Sequence, residues 1–299
     1  VVWYPTVLAF AAAAIAYGIG KPELADNGMF TGLFIILFYW VATIIAFCGT
    51  KVLSKVTSFG FIIGTVFPGL IVILLGIIWL ISKKPLGFEE LTAAETSVAT
   101  IVDGKILPRW IPDLSNLKNL SFLSGIILLF AGVEVQAVHA TEMENPKKQY
   151  PLAILISSLI VFILFTFGSL SIAAVVPNSQ LKLESGLMQA LSTMLKSVNM
   201  NWTLPLLSFC IAFGALAGVL SWISGPSKGL LFTAQENLLP IELSKTTKNG
   251  APKNMMLLQG FIVTILASLY FLMNDVSVAF FLLSALTVAV YIIMYILMY

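Results

Sequence analysis

The chain has 299 residues, 59% of them hydrophobic and 10% charged, with a mean hydropathy of +0.99. An average soluble domain carries roughly 25% charged residues, so a soluble fold could not hide this much apolar surface and a lipid-embedded protein is expected. A net charge of +2 without a basic face excludes a nucleic-acid partner. Two cysteines, Cys48 and Cys210, both inside apolar runs, exclude a disulfide scaffold.

The chain opens on Val1-Val2-Trp3, apolar from its first residue and lacking the charged start of a signal peptide. It stops at Tyr299 within an apolar run. It reads as one transmembrane domain over 1–299, an internal fragment of a longer membrane protein truncated at both ends. Charge-free runs cover 1–20, 27–50, 56–82, 149–181, 197–227, 254–274 and 276–299. Each is near the roughly 20 apolar residues that a spanning helix needs. A further run, 119–141, is interrupted by Glu134 and His139, which brings the expectation to about eight spans. Continuous rather than alternating runs exclude a β-barrel and leave an all-α membrane bundle.

Two connections are distinctive. Residues 83–118 form a long polar loop. Residues 185–198 carry Leu187, Leu191, Leu195 and Val198 at helical spacing, an amphipathic helix too short to cross the membrane and expected to lie over the bundle. The Lys and Arg residues divide equally between the two sets of loops, but Lys51, Lys55, Lys147, Lys148, Lys228, Lys245, Lys248 and Lys253 lie in the shorter ones. That density places them in the cytoplasm, with both 83–118 and 185–198 extracytoplasmic.

Within the spans, Glu134 is the only acid, in Phe130-Ala-Gly-Val-Glu134. A carboxylate in hydrocarbon costs about 2.5–3.5 kcal/mol on insertion scales, so such a residue faces a cavity or a partner, and it suits reversible protonation. The plainer reading is a buried Glu bonded to a neighbouring helix for packing alone. Gly132 weakens the helix two residues earlier, and a helix broken at mid-membrane offers its backbone groups to a ligand. His139, the only histidine, is either an interfacial side chain or a pH sensor. Trp222 precedes Lys228 by six residues, about 9 Å along a helix. It is either an interface anchor or a ring turned into a pocket. Pro226 is expected to kink or unwind that helix. Gly225-Pro-Ser-Lys-Gly229 also fits the G-x-S-x-G hydrolase pattern, so a Ser227–His139 dyad is a rival reading, although the strand–turn–helix context is missing. No cofactor motif or Cys/His metal cluster is present in the sequence.

The stretch Gly132-Val-Glu-Val-Gln-Ala-Val-His-Ala-Thr-Glu-Met-Glu-Asn-Pro-Lys-Lys-Gln-Tyr-Pro-Leu-Ala153 resembles the sixth span and following loop of amino acid–polyamine–organocation transporters. His139-Ala-Thr-Glu-Met-Glu-Asn-Pro146, Ser221-Trp-Ile-Ser-Gly-Pro-Ser-Lys-Gly229, Ala234-Gln-Glu-Asn-Leu-Leu-Pro240 and Lys248-Asn-Gly-Ala-Pro252 resemble the bacterial glutamate/γ-aminobutyrate antiporters more narrowly. The resemblance implies a leucine-transporter-like bundle of two inverted repeats in which these spans are the third to the tenth. It also implies a bacterial inner membrane location, a small amino acid as substrate, membrane lipid as surroundings and no enzymatic activity. In such transporters the substrate meets the unwound part of the sixth span. Ala131, Gly132, Val133, Glu134 and Trp222 are therefore the expected substrate-binding residues, and Glu134 and His139 the expected proton-coupling or pH-sensing ones. Trp222 matches a gating aromatic of the arginine/agmatine exchangers. Leu128 stands where those exchangers have a second Trp, which argues against a cationic substrate stacked there.

Overall fold

A computed structural model describes residues 1–87, 99–102, 105–108, 126, 129, 131–132, 137, 143–273 and 275–298. Helix α1 (Trp3–Gly18) is followed by a 3-10 turn (Pro22–Asp26) and α2 (Gly28–Ala46). Helices α3 (Thr50–Phe61) and α4 (Phe67–Ile81) are joined without a break by a π turn (Ile62–Val66). After the polar loop come α5 (Pro146–Val175), α6 (Gly186–Ser197), α7 (Leu204–Gln235) and α8 (Lys253–Ala267), the last extended by a short turn, Leu269–Leu272. Helix α9 (Val276–Met298) is the last described element.

Among the described residues six helical segments are long and apolar enough to cross a membrane: Gly28–Ala46, Val52–Ile81, Pro146–Val175, Asn201–Gln235, Lys253–Leu272 and Val276–Met298. The expected first span is a shorter apolar helix of 16 residues. The expected span over 119–141 falls mostly outside the described residues. The bundle is all-α as expected, with one addition. Within the 83–118 loop, Ala99–Val102 and Lys105–Pro108 pair as an antiparallel hairpin. Hydropathy does not see it, because a polar loop can satisfy its backbone by a local ladder as well as by water.

Small residues set the packing at the centre. Helix α1 carries Ala11 to Ala14 and Ala16, all buried, so its backbone approaches α7 closely. Gly64 and Gly214 meet backbone to backbone between the π turn and α7, and a Cβ on either would overlap the other's main chain. Pro68, at the start of α4, has no N–H for the carbonyl one turn earlier. The π turn directly before it is the local answer, since a widened turn re-pairs the carbonyls that a proline leaves.

Helix α6 matches the amphipathic expectation, with its buried face rotated slightly. Met188, Leu191, Met194 and Leu195 are buried, while Leu187 and Val198 are half-buried at its margin. Hydrogen bonds group the loops into two ends. At one end Asn249 Nδ2 donates to the Phe47 carbonyl at 3.2 Å, joining the 245–252 loop to the 47–50 turn. At the other, Lys182 pairs with Asp26, and Lys84 Nζ donates to the Ser197 carbonyl at 3.1 Å. These groupings match the two loop sets read from the sequence.

The glycine contact is testable. Gly64→Ala and Gly214→Ala should each lower the thermal midpoint of the detergent-purified protein, at a cost of about 1–3 kcal/mol for overpacking. Gly168→Ala, a helical position with open space around it, should be neutral or stabilising by up to about 1 kcal/mol. Equal midpoints for all three variants would show that the close approach does not constrain the bundle.

Candidate functional site

Ala131 and Gly132 form a turn, not a helix, and Gly132 has φ +95°. Glycine takes this left-handed conformation without a steric penalty. The Trp222 ring lies directly against Gly132, where any Cβ would collide with it, and the Tyr291 hydroxyl is 3.2 Å from that Cβ position. Gly132 is therefore required twice, by its dihedral and by the indole. Val133, Glu134 and His139 lie outside the described residues.

Trp222 is half-buried inside the bundle, at the junction of two environments. On one side it meets an aromatic group: Trp3 at 5.4 Å between ring centroids and Tyr291 at 6.3 Å, edge to face. Tyr4 packs on Tyr39 at 5.1 Å behind Trp3, and Tyr295 packs on Tyr291 at 5.4 Å. On the other side Trp222 lines a cavity of about 380 Å³ with Thr57, Ser58, Phe61, Thr65 and Ser221. That volume is within the roughly 300–1,000 Å³ of small-molecule sites. Ser58 and Thr65 share one face of the α3–π segment with Ser54 and Phe61, at helical spacing. A hydroxyl stripe inside a membrane helix faces protein or water rather than lipid. A second cavity of about 430 Å³, lined largely by apolar side chains such as Phe10, Val72, Leu164 and Ile211, offers few polar groups to orient an amino acid.

The expected unwinding at Pro226 does not occur. Helix α7 runs unbroken from Leu204 to Gln235. Pro226 cannot donate to the carbonyl four residues back, which is that of Trp222. Tyr4 Oη donates to this carbonyl at 2.8 Å, across from α1. The acceptor that the proline exposes is thus filled from a neighbouring helix, and the residue so anchored is the gating candidate itself. Sequence reading missed Tyr4. The usable signal was the spacing Trp222 to Pro226, which marks a carbonyl in need of an outside donor.

Ser227 is fully buried, and its hydroxyl is committed to packing. It donates to the Ile223 carbonyl at 2.6 Å and accepts from Gln259 Nε2 at 3.1 Å. Tyr39 Oη in turn donates to Gln259 Oε1 at 3.4 Å. A helix-embedded hydroxyl held this way has none of the exposure of a nucleophile at an elbow. The hydrolase reading fails at this residue.

The Tyr4 bond makes a specific prediction. Tyr4→Phe keeps the ring and orphans the Trp222 carbonyl, a loss of about 1–3 kcal/mol, so the thermal midpoint should fall. Adding Pro226→Ala supplies a backbone N–H to the same carbonyl and should recover most of the loss. A double variant less stable than Tyr4→Phe alone would break the link between these residues.

Comparison with known proteins gives the family. The amino acid permease family model matches residues 1–299. An uncharacterized transporter of Legionella pneumophila is 36% identical over the whole chain, which covers 61% of that relative. A glutamate/gamma-aminobutyrate antiporter of Lactococcus lactis is 30% identical over the whole chain, which covers 57% of it. A cadaverine/lysine antiporter of Escherichia coli is 25% identical over 90% of the chain and 55% of its own length. The chain therefore spans a little over half the length of these relatives. A positive-φ glycine turn under an indole, inside a bundle of apolar helices, stands beside a family match from end to end, and that match identifies the chain as a member of the amino acid permease family, a multi-pass protein of the bacterial inner membrane.

Proposed function

We propose that the full-length protein containing this chain is a secondary active amino acid exchanger, taking up glutamate in exchange for γ-aminobutyrate with proton linkage. The observation that carries this reading is the turn at Ala131–Gly132 beneath Trp222, in the middle of the bundle. A turn inside a bundle of apolar helices presents backbone N–H and C=O groups, which suit the carboxylate and ammonium common to all amino acids. Two glutamate/gamma-aminobutyrate antiporters among the relatives, each 30% identical to the chain, support the substrate pair.

In this reading Ala131, Gly132 and Val133 supply backbone contacts to the substrate. Glu134 carries the proton that links occupancy to conformation, and His139 tunes the response to pH. Trp222 is the inner gate: its indole covers the substrate on the Gly132 side and borders the hydroxyl-lined cavity on the other. A flat ring excludes water with little conformational entropy to lose. Exchange then follows if the ring moves only with substrate in place, because the empty carrier stays shut. The end holding the 47–50 turn and the 245–252 loop is cytoplasmic, as the lysine density requires. The 83–118 loop and α6 then face outward.

Two outcomes are expected in proteoliposomes. Trp222→Ala should reduce exchange per molecule at least about tenfold, and Trp222→Phe should keep part of it, with expression unchanged in both. Normal per-molecule rates in Trp222→Ala would end the gating role. Glu134→Gln should flatten the pH dependence of exchange more than it weakens substrate binding. An unaltered pH–rate profile would remove Glu134 from coupling.

A further inference from the structure

At the end of the bundle opposite the 47–50 turn, the structure buries a second acid. Glu184, two residues before α6, is 1% exposed. Its carboxylate accepts from Ser277 Oγ at 2.6 Å and, at the long distance of 3.4 Å, from Ser185 Oγ. Ser277 lies in the first turn of α9, where its backbone N–H is held by Asp275 Oδ1 at 2.8 Å. The Glu184–Ser277 bond therefore ties α6 to a capped helix start. Helix α9 continues 14 residues from Ser277 to Tyr291, about 21 Å, and Tyr291 touches Trp222 and borders Gly132.

Other polar ties hold the same strap. Lys182 pairs with Asp26 after α1, and Lys84 holds the C-terminal end of α6. The titratable groups around Glu184 are Tyr17 on α1, Asp26 with its Lys182 partner, Tyr270 and Asp275. Tyr270 stands out among them. It is 1% exposed, and its hydroxyl is buried with no hydrogen-bond partner. A carboxylate offers about four acceptor directions, and among the described residues Glu184 uses two of them, one weakly. An orphan donor within electrostatic reach of an acceptor with spare capacity is the arrangement of a bond that can change hands.

We propose that Glu184 is a positioning residue of the exchange cycle: through Ser277 its carboxylate holds α6 against the start of α9, and it passes to the Tyr270 hydroxyl when α6 lifts. The handover keeps the buried carboxylate bonded in both positions, so neither state leaves it unpaired. Two discrete arrangements of one element are what a switching transition requires. In this conformation α6 is down and α9 is fixed, with Tyr291 on Trp222. The inference rests on the exchanger reading above and extends it to the outer end of the same helices.

The test uses the full-length protein with its native cysteines replaced and Ala190→Cys as reporter, since Ala190 is fully buried on the inner face of α6. Labelling by a water-soluble maleimide in open membrane fragments then reports lifting of α6. Ser277→Ala and Glu184→Ala should speed labelling about tenfold, the scale of a hydrogen bond to a charged group. Glu184→Gln, whose amide oxygen still accepts from Ser277, should stay within about threefold of the parent. Tyr270→Phe removes the alternative partner and should slow labelling. The same variants should change exchange turnover in parallel at unchanged KM, with normal amounts of protein. Unchanged labelling in Ser277→Ala, faster labelling in Tyr270→Phe, or labelling shifts without a change in turnover would each overturn the proposal. Absence of glutamate exchange by the unsubstituted protein would strike at the substrate reading instead, because labelling needs no substrate.

Discussion

The carbonyl of Trp222 is the point on which the centre of this bundle depends. Proline four residues later removes its helical partner, and in lipid no bulk water can replace it. Tyr4 supplies the missing donor from α1 at 2.8 Å. That single bond fixes the rotation of α1 against α7, because a tyrosine reaches the carbonyl from only one face. Once it is made, Trp3 falls beside the Trp222 ring and Tyr4 stacks on Tyr39 of α2. Three helices are thereby registered around one indole. The proline that seemed to mark a break instead creates an address that only one side chain fills.

Close packing supplies the rest of the constraint. Hydrophobic burial distinguishes little between helices already in lipid, so contact area and polar bonds decide which faces meet. The alanines of α1 and the Gly64–Gly214 contact bring three backbones within reach of one another. Around them the hydroxyls of Ser227, Tyr39 and Thr264 bond to side chains or backbone of the bundle rather than to lipid. The space left over includes the hydroxyl-lined cavity beside Trp222, between the α3–π segment and α7.

Different parts of this arrangement were legible in the sequence to different degrees. Spans were readable because lipid demands about 20 apolar residues in a row, and the limits of α2 and the start of α9 follow the charges that flank them, whereas α7 runs on past Lys228 to Gln235. Gly132 was readable because a glycine beside a lone intramembrane acid breaks a pattern. Tyr4, Tyr291 and Ser277 were not, since each is an ordinary residue until a distant partner gives it a role. Their partners are 218, 69 and 159, and 93 positions away along the chain, and no periodicity links them. Of the two outcomes expected at Pro226, unwinding does not occur, because its local cost was visible in the sequence and its compensation from α1 was not. Glu184 looked like loop charge because burial is a property of the fold, not of the neighbouring residues.

One helix serves both ends of the bundle. Ser277, in the first turn of α9, is bonded to Glu184, and further along α9 carries Tyr291 against Trp222 and Gly132. A helix is stiff over this length because each turn is hydrogen-bonded to the next. A shift at one end is therefore passed to the other as translation or rotation rather than absorbed. The α7 side of the site is held from α1 by Tyr4, which donates to the Trp222 carbonyl. There the Trp222 and Tyr291 rings meet edge to face at 6.3 Å, and both close on Gly132. Three helices thus converge on one glycine, and its left-handed backbone and the indole against it leave no room for a side chain.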